Sequence, residues 1–159
     1  MITRLALPKP VGLTSPSTTI QFHLTPQASA AITKAVEGKA TRLFLNVVGI
    51  DYRQNPGAGY EIYLNPPTGT LPERGSPDYV GVLHFFGLKE AAQASGKPAE
   101  VAFEITAQVR QLVQTRQWPA ETLSVVFVRR GPLDASGREV STQSPESIPT
   151  ISGLEIVTE

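Results

Sequence analysis

The sequence predicts a mainly β protein, a single β-sandwich of about seven strands with one or two short helices. Several short segments alternate apolar and polar residues with a period of two, which is typical of strands that lay one face on a core. The 14 prolines and 13 glycines fit the many turns that such strands need. A length of 159 residues fits one domain with a sizeable core.

Composition excludes several classes of function. The 14 basic and 14 acidic residues balance, so no basic surface for nucleic acid is indicated. The chain has no cysteine, which excludes disulfides, a thiol nucleophile and zinc–thiolate or iron–sulfur sites. No apolar run approaches the roughly 20 residues that span a bilayer. The N-terminus has no proper signal-peptide core, and the compartment stays undetermined.

The first part of the chain is interpreted as an arm, a strand, a helix and a second strand. Residues 1–17 are rich in proline and predict an irregular arm ahead of a sandwich domain at 18–159. Thr18–Thr25 alternates as a half-buried strand does. Pro26–Gly38 predicts a short helix, because proline suits an early helical position and glycine suits the stop. Arg42–Ile50 is dense in branched residues and predicts a strand.

The centre of the chain holds the strongest strand patterns. Gly49 indicates a β-bulge or a close backbone approach near the end of the preceding strand. Tyr60–Leu64 alternates between an apolar face and a more polar face. Tyr79–Phe86 is apolar on both faces, which predicts a central strand covered on both sides. Residues 88–98 are polar and predict a connection with room for one helical turn.

The remaining chain predicts three more strands and a helix. Glu100–Ile105 alternates, and Thr106 is placed to cap a helix whose apolar stripe docks on a sheet. Thr122–Val128 is apolar on both faces, and Ile151–Val157 predicts the last strand. The loop at 132–150 is long, and loops of that length are typically functional or mobile.

Four segments carry a resemblance to a known family. They are YEIYLN, SPDYVGVLHFFG, FEITAQVRQLVQTRQWPAETLSVVFVRRG and ISGLEIVTE. In this order they resemble the C-terminal domain of tyrosinases and polyphenol oxidases, from about Phe44 to Glu159. The resemblance implies a cupredoxin-like or jelly-roll-like sandwich without copper of its own. In that family the domain packs over the binuclear copper domain and shields its active site.

The chemistry of that family's catalytic domain does not carry over. This sequence has two histidines, too few for the copper ligands of the oxidases. A blue-copper site is also excluded, because there is no cysteine and Met1 is the single methionine. His23 and His84 could form a two-histidine metal site, or they are ordinary sheet residues, with His84 packed and His23 facing solvent. We expect no cofactor.

Other catalytic patterns are weak. Glu61 and Glu104 fall on the polar faces of their strands, where paired-carboxylate catalysis competes with a simple solvated face. No GxSxG elbow is present. Residues 57–59, GAG, precede a strand and open no helix, so they do not form a dinucleotide-binding loop. We therefore predict that the chain is not an enzyme.

Five residues are candidates for contact with a partner protein. Aromatic side chains either fill the sandwich core or project into the active-site mouth of a partner, as the resemblance implies. Tyr63 lies on the more polar face of its strand, which makes it the better aromatic candidate. The two arginines that end a strand could bind carboxylates of a partner or remain solvated. The candidates are Tyr63, Phe85, Phe86, Arg129 and Arg130.

The predicted function is a non-catalytic module that packs on a partner protein. The partner is a binuclear copper oxidase domain or the subunits of a larger assembly, with neither nucleic acid nor a membrane span involved. Two alternatives remain. In the first, the chain is a structural or accessory subunit with no link to copper oxidases, and it contacts other subunits through residues 6–17 and 132–150. In the second, it is an enzyme with a metal-assisted site at His84.

Overall fold

A computed structural model describes residues 2–14, 16–69, 71–119, 121–131, 135–138 and 143–159. Within them the chain forms two four-stranded antiparallel sheets, so the predicted β-sandwich is confirmed. The strands are β1 (Ile2–Gly12), β2 (Ser17–His23), β3 (Leu43–Ile50), β4 (Gly59–Leu64), β5 (Tyr79–Leu83), β6 (Ala99–Glu104), β7 (Thr122–Arg130) and β8 (Thr150–Thr158). The helices are α1 (Pro26–Glu37), α2 (Leu88–Ser95) and α3 (Thr106–Gln114).

The two sheets enclose one hydrophobic core. Sheet A has the strand order β1-β8-β3-β6, and sheet B has the order β2-β7-β4-β5. Alternate residues of β4 point inward, so Tyr60, Ile62 and Leu64 are fully buried in this core. Helices α1 and α3 pack against each other, and Val109 and Leu112 are buried as the predicted stripe requires. No helix in the described ranges is long and apolar enough to cross a membrane.

The N-terminal residues differ from the prediction. The expectation of an irregular arm over residues 1–17 does not hold for Ile2–Gly12, which forms β1 against β8. Proline lacks a backbone N–H and is therefore confined to strand edges and bulges. Here Pro8 and Pro10 lie on an edge strand, within the break in register between Ala6 and Val11. The prolines are thus accommodated without the loss of a ladder hydrogen bond.

The prediction that Tyr79–Phe86 is a central strand is wrong. Strand β5 ends at Leu83 and lies at the edge of sheet B, next to β4 only. Its apolar pattern has another cause, because the edge of sheet A packs against it. A Cβ atom added at Gly81 would lie 3.0 Å from the ring of Phe103 on β6. Contact between two sheet edges therefore produced the pattern that we attributed to a central position.

Two helix details also differ. The polar segment predicted to hold one helical turn forms the eight-residue helix α2, bounded by left-handed Gly87 and Gly96. Thr106 does not cap α3 through its side chain. Its hydroxyl instead accepts a hydrogen bond of 2.9 Å from the backbone N–H of Leu43. Thr106 thus ties the start of the helix to β3 of sheet A.

The C-terminal loop is described in part. Of the predicted loop 132–150, residues 132–134 and 139–142 lie outside the described ranges. Residues Pro145–Ser147 form a single 3-10 turn before β8 begins.

We predict that Gly49 tolerates alanine less well than Gly57 does, although both have φ of +66°. The bulge expected at Gly49 is present between Val48 and Ile50. A Cβ added at Gly49 would overlap the hydroxyl of Ser152 and lie 2.8 Å from its Cβ, whereas Gly57 has open space. Left-handed backbone costs about 1–2 kcal/mol at either site, and the overlap should add about 1 kcal/mol at Gly49. Urea denaturation of the two alanine variants measures this difference, and equal losses would contradict it.

Candidate partner-binding surface

Four of the five predicted contact residues meet at one end of the sandwich. This end lies where β4 begins and where β5 and β7 finish, because Tyr60 pairs with Leu83 on one side and Arg129 on the other. We call it the aromatic end, defined by Tyr52, Tyr60, Phe85 and Phe86. The strand register thus brings together residues that are far apart in the chain.

Phe85 and Phe86 are neighbours with opposite environments. Phe85 is 3% exposed, whereas Phe86 is 94% exposed. The ring of Phe85 meets the rings of Tyr52 and Tyr60 edge-on, with centroid distances of 5.5 and 5.6 Å. The hydroxyl of Tyr52 also donates a hydrogen bond of 2.9 Å to the carbonyl of Phe85. Phe86 therefore projects into solvent from a backbone that its neighbour holds in place.

The surroundings of Phe86 combine apolar rings with positive charge. Gly87, with φ of +76°, turns the chain directly into α2 after Phe86. On that helix, the Lys89 ammonium lies 4.8 Å from the ring centroid of Tyr52, a cation–π distance. Burial raises the pKa of Tyr60, although the positive charge of Arg129 opposes the shift. The phenol of Tyr60 is thus a protonated hydrogen-bonding group, and it accepts from Gln143 Nε2 at 2.7 Å.

The two arginines at the end of β7 have different roles. Arg129 is 5% exposed, on the side of the strand that faces the core. Arg130 points to the other face of sheet B and donates a hydrogen bond of 2.6 Å to Glu61 Oε1. Arg130 is half-buried and so reaches the surface, whereas a partner could reach Arg129 only after local rearrangement.

The structure corrects the placement of Tyr63 and Glu61. Both were expected on the more polar face of β4, with Glu61 solvated and Tyr63 open to a partner, but Tyr63 is 0% and Glu61 is 2% exposed. Residues 65–69 and 71–78, which we call the cover segment, connect β4 to β5 and bury this face. Tyr63 packs there with Val126 and Val128 of β7 in a small second core. Tyr63 is thus an internal residue of this chain.

Both oxygens of the buried Glu61 carboxylate accept hydrogen bonds. Its Oε1 accepts from Arg130 Nε at 2.6 Å and from the Tyr63 hydroxyl at 3.1 Å. Its Oε2 accepts from Arg74 Nε at 2.7 Å. Because Arg74 belongs to the cover segment, this contact fastens the segment to the sheet. We call Glu61, Tyr63, Arg74 and Arg130 the Glu61 cluster.

The electrostatics of the Glu61 cluster favour a structural role. Burial alone would raise the pKa of Glu61, but the hydrogen bonds from Arg130 and Arg74 outweigh it and lower that pKa. Burial, followed by the charge of Glu61, raises the pKa of Tyr63 to about 12. General acid–base catalysis works best with a pKa near the operating pH. Neither group has such a pKa, so the cluster is suited to holding the cover segment.

Glu104, the second carboxylate considered for catalysis, is solvated as expected. Its Oε2 accepts a hydrogen bond of 2.6 Å from Arg42 Nη2, and Arg42 directly precedes β3, the strand that pairs with β6. The Arg42 hydrogen bond lowers the pKa of Glu104. Because both side chains are exposed, solvent screens the pair, and such pairs contribute little to stability.

Both histidines are exposed. The prediction that His84 is packed is therefore wrong, whereas His23 faces solvent as predicted. His84 follows the end of β5 and so lies outside the sheet pattern that suggested packing. The Nδ1 of His23 lies 3.3 Å from the hydroxyl of Thr122. Across the described parts of the chain, no three histidine, aspartate or glutamate side chains are grouped as metal ligands.

Comparison with solved structures finds a similar fold in part of latent polyphenol oxidases. A recombinantly expressed latent aurone synthase, a polyphenol oxidase, has a TM-score of 0.55 at 13% identity and matches 96% of this chain. Latent apple tyrosinase has a TM-score of 0.54 at 12% identity and matches 94%. The matches cover 25% and 27% of those proteins, so the chain spans about a quarter of their length. At these identities the likeness shows the fold alone.

Sequence comparison gives one family and no individual relative. The sequence profile of a family described as a domain of unknown function, DUF7868, matches residues 6–142. No curated protein matches the chain. The resemblance drawn from the four segments agrees with the solved structures at the level of fold, over about a quarter of each polyphenol oxidase.

Proposed function

We propose a protein-binding function for this chain, which belongs to the DUF7868 family of domains of unknown function. In this proposal the chain is a non-catalytic β-sandwich that packs on a partner protein through its aromatic end. Phe86 is the central contact, and Arg130 and Lys89 provide polar contacts around it. The proposal concerns binding only and requires no cofactor in this chain.

The observation that carries the proposal is the exposure of Phe86. A single exposed apolar residue is ordinary on a protein surface. Phe86 differs because Phe85, Tyr52 and Tyr60 already fix the backbone from which it projects. An aromatic ring on a pre-organised backbone loses little conformational entropy on binding, and such rings are enriched at the centres of interfaces.

The nature of the partner is proposed from the fold. Solved structures similar to this chain include latent polyphenol oxidases, of which it matches about a quarter. We propose that the partner is a binuclear copper oxidase domain, on a separate chain or on the same polypeptide. Phe86 would then enter the mouth of the partner's active site and shield it.

The test compares native complexes formed by three versions of the chain. The wild type, Phe86→Ala and Leu71→Ala are each expressed in the native source and purified under native conditions. Mass spectrometry identifies the proteins that co-elute, and a copper assay is made on the same fraction. Leu71 is the matched control, because it is a large apolar residue that is 46% exposed and lies outside the aromatic end.

We expect a copper-containing oxidase with the wild type and with Leu71→Ala, and a substantially smaller amount with Phe86→Ala. Retention of the oxidase by Phe86→Ala would exclude the aromatic end as the contact surface. A copper-free assembly of other proteins would replace this proposal with that of a structural subunit.

A further inference from the structure

A second surface lies at the opposite end of β4. There the cover segment and α3 form the two walls of a groove with a volume of about 990 Å³. This volume is at the upper end of the range of about 300–1,000 Å³ typical of ligand sites. The residues that carry the chemistry below are Asn65, Leu71, Glu73, Asp78, Gln111 and Gln117. We call this surface the amide groove.

Hydrogen bonds hold both walls of the groove in place. The Glu61 cluster fastens the cover segment through Arg74, and Arg130 Nη2 donates to the carbonyl of Pro72 at 3.3 Å. Across the groove, Asn65 Nδ2 donates to the carbonyl of Gln117 at 3.3 Å. Gln108 Nε2 of α3 donates to the carbonyl of Tyr79 at 2.8 Å. The groove is therefore largely formed before anything binds.

The charge of the lining is negative. Among the described residues that line the groove, two are acidic, Glu73 and Asp78, and none is lysine, arginine or histidine. The Oδ2 atom of Asp78 is buried and has no hydrogen-bond partner. A buried carboxylate oxygen without a donor is unfavourable. Asp78 lines the groove, so a change of its χ1 rotamer would turn the carboxylate toward the groove, where a donor from outside can reach it.

We propose that the amide groove binds an extended peptide segment whose basic side chain pairs with Asp78. Charge complementarity indicates the basic side chain. The side-chain amides of Gln111 and Gln117 can pair with the N–H and C=O groups of an extended backbone. Leu71, which is 46% exposed, offers an apolar contact for the next side chain of the segment. This surface acts independently of Phe86, which lies at the other end of the sandwich.

The probe is a synthetic hexapeptide, PLRPLG, with blocked ends, and its matched control is PLEPLG, in which glutamate replaces arginine. Each is titrated to millimolar concentration into the ¹⁵N-labelled chain while NMR spectra are recorded. We expect PLRPLG to shift the side-chain amide signals of Gln111 and Gln117 and the backbone signal of Leu71. The control peptide should bind at least about tenfold more weakly, because it loses a charge-assisted hydrogen bond.

Variants of the chain locate the contact. Asp78→Asn should weaken PLRPLG at least about tenfold, because it removes the charge that the arginine pairs with. Glu100→Gln removes an exposed carboxylate on β6 and should leave binding unchanged. Leu71→Ala removes the exposed apolar contact of the groove and should leave the fold intact. It should also weaken the binding of PLRPLG. Phe86→Ala should have no effect.

Three outcomes would overturn the proposal. They are equal binding of the two peptides, unchanged binding by both Asp78→Asn and Leu71→Ala, and shifts confined to residues outside the groove. Absence of any shift at millimolar PLRPLG would also overturn it. None of these outcomes bears on the aromatic end, because the Phe86 experiment is separate.

Discussion

Replacing Phe85 with alanine is expected to lower the free energy of unfolding by about 3–5 kcal/mol. The same change at Phe86 should alter it by less than about 0.5 kcal/mol. Phe85 is 3% exposed and packs edge-on against Tyr52 and Tyr60, so alanine leaves a cavity between these rings. Phe86 is 94% exposed and loses almost no packing. Urea denaturation followed by fluorescence and circular dichroism measures both values.

The matched control for this pair is Phe85→Leu. Leucine retains most of the buried apolar volume, so we expect a loss smaller than that of Phe85→Ala, by about 2 kcal/mol or more. A loss at Phe86→Ala comparable to that at Phe85→Ala would mean that Phe86 is packed within the chain. That result would remove the observation on which the proposed function depends.

The sequence predicted the interior of the sandwich well, because residues that face one core recur at every second position along a strand. The alternation of Tyr60, Ile62 and Leu64 predicted their inward face, and all three are fully buried. The strands predicted at 18–25, 122–128 and 151–157 are present as β2, β7 and β8. Each of these predictions depends on a local pattern that burial against one core enforces.

The outer face of sheet B could not be predicted in the same way. Alternation places Glu61 and Tyr63 on the face away from the main core, and this is correct. Whether that face meets water depends on the path of the cover segment, which folds back through the contact of Arg74 with Glu61. That contact joins residues of a strand and a loop, and no periodicity in either one indicates it.

Four of the five predicted contact residues lie at one end of the sandwich, but the sequence did not distinguish their environments. The period of two in the predicted strand Tyr79–Phe86 puts Phe85 and Phe86 on opposite faces, which leaves open which of them is exposed. The structure decides this because β5 ends at Leu83, and the ring of Phe85 then enters the core between Tyr52 and Tyr60. The amide groove was not predicted, because its walls come from separate parts of the chain.

Glu61→Gln is expected to lower the free energy of unfolding at pH 7 by about 3 kcal/mol. Removing one partner of a buried ion pair typically costs about 3–5 kcal/mol. We take the lower end because Arg74 and Arg130 have exposed fractions of 65% and 36%, so water partly screens their charges and can solvate them in the variant. Glutamine retains the shape of the side chain, but it presents one N–H₂ group toward donors that need an acceptor. Urea denaturation at pH 7 gives the value.

The control is Glu104→Gln, which removes the exposed ion pair with Arg42. Solvent screens an exposed pair, which therefore contributes little to stability, so this variant should remain close to the wild type. Both substitutions change glutamate to glutamine on a strand next to an arginine, and they differ mainly in burial. Equal losses from the two would mean that the burial of Glu61 has no energetic consequence, and the role assigned to the Glu61 cluster would be wrong.

The pH dependence of the Glu61 variant separates charge from shape. The pKa of Glu61 in the folded protein is lowered from its ordinary value of 4.5, so the ionised carboxylate stabilises the fold above that pH. This stabilisation disappears as the pH falls through the lowered pKa. The stability gap between wild type and Glu61→Gln should therefore be constant near neutral pH and narrow below about pH 4.5. A gap that stays constant down to the acid unfolding of the protein would assign the loss to packing, and the ion pairs would then not be what fastens the cover segment to the sheet.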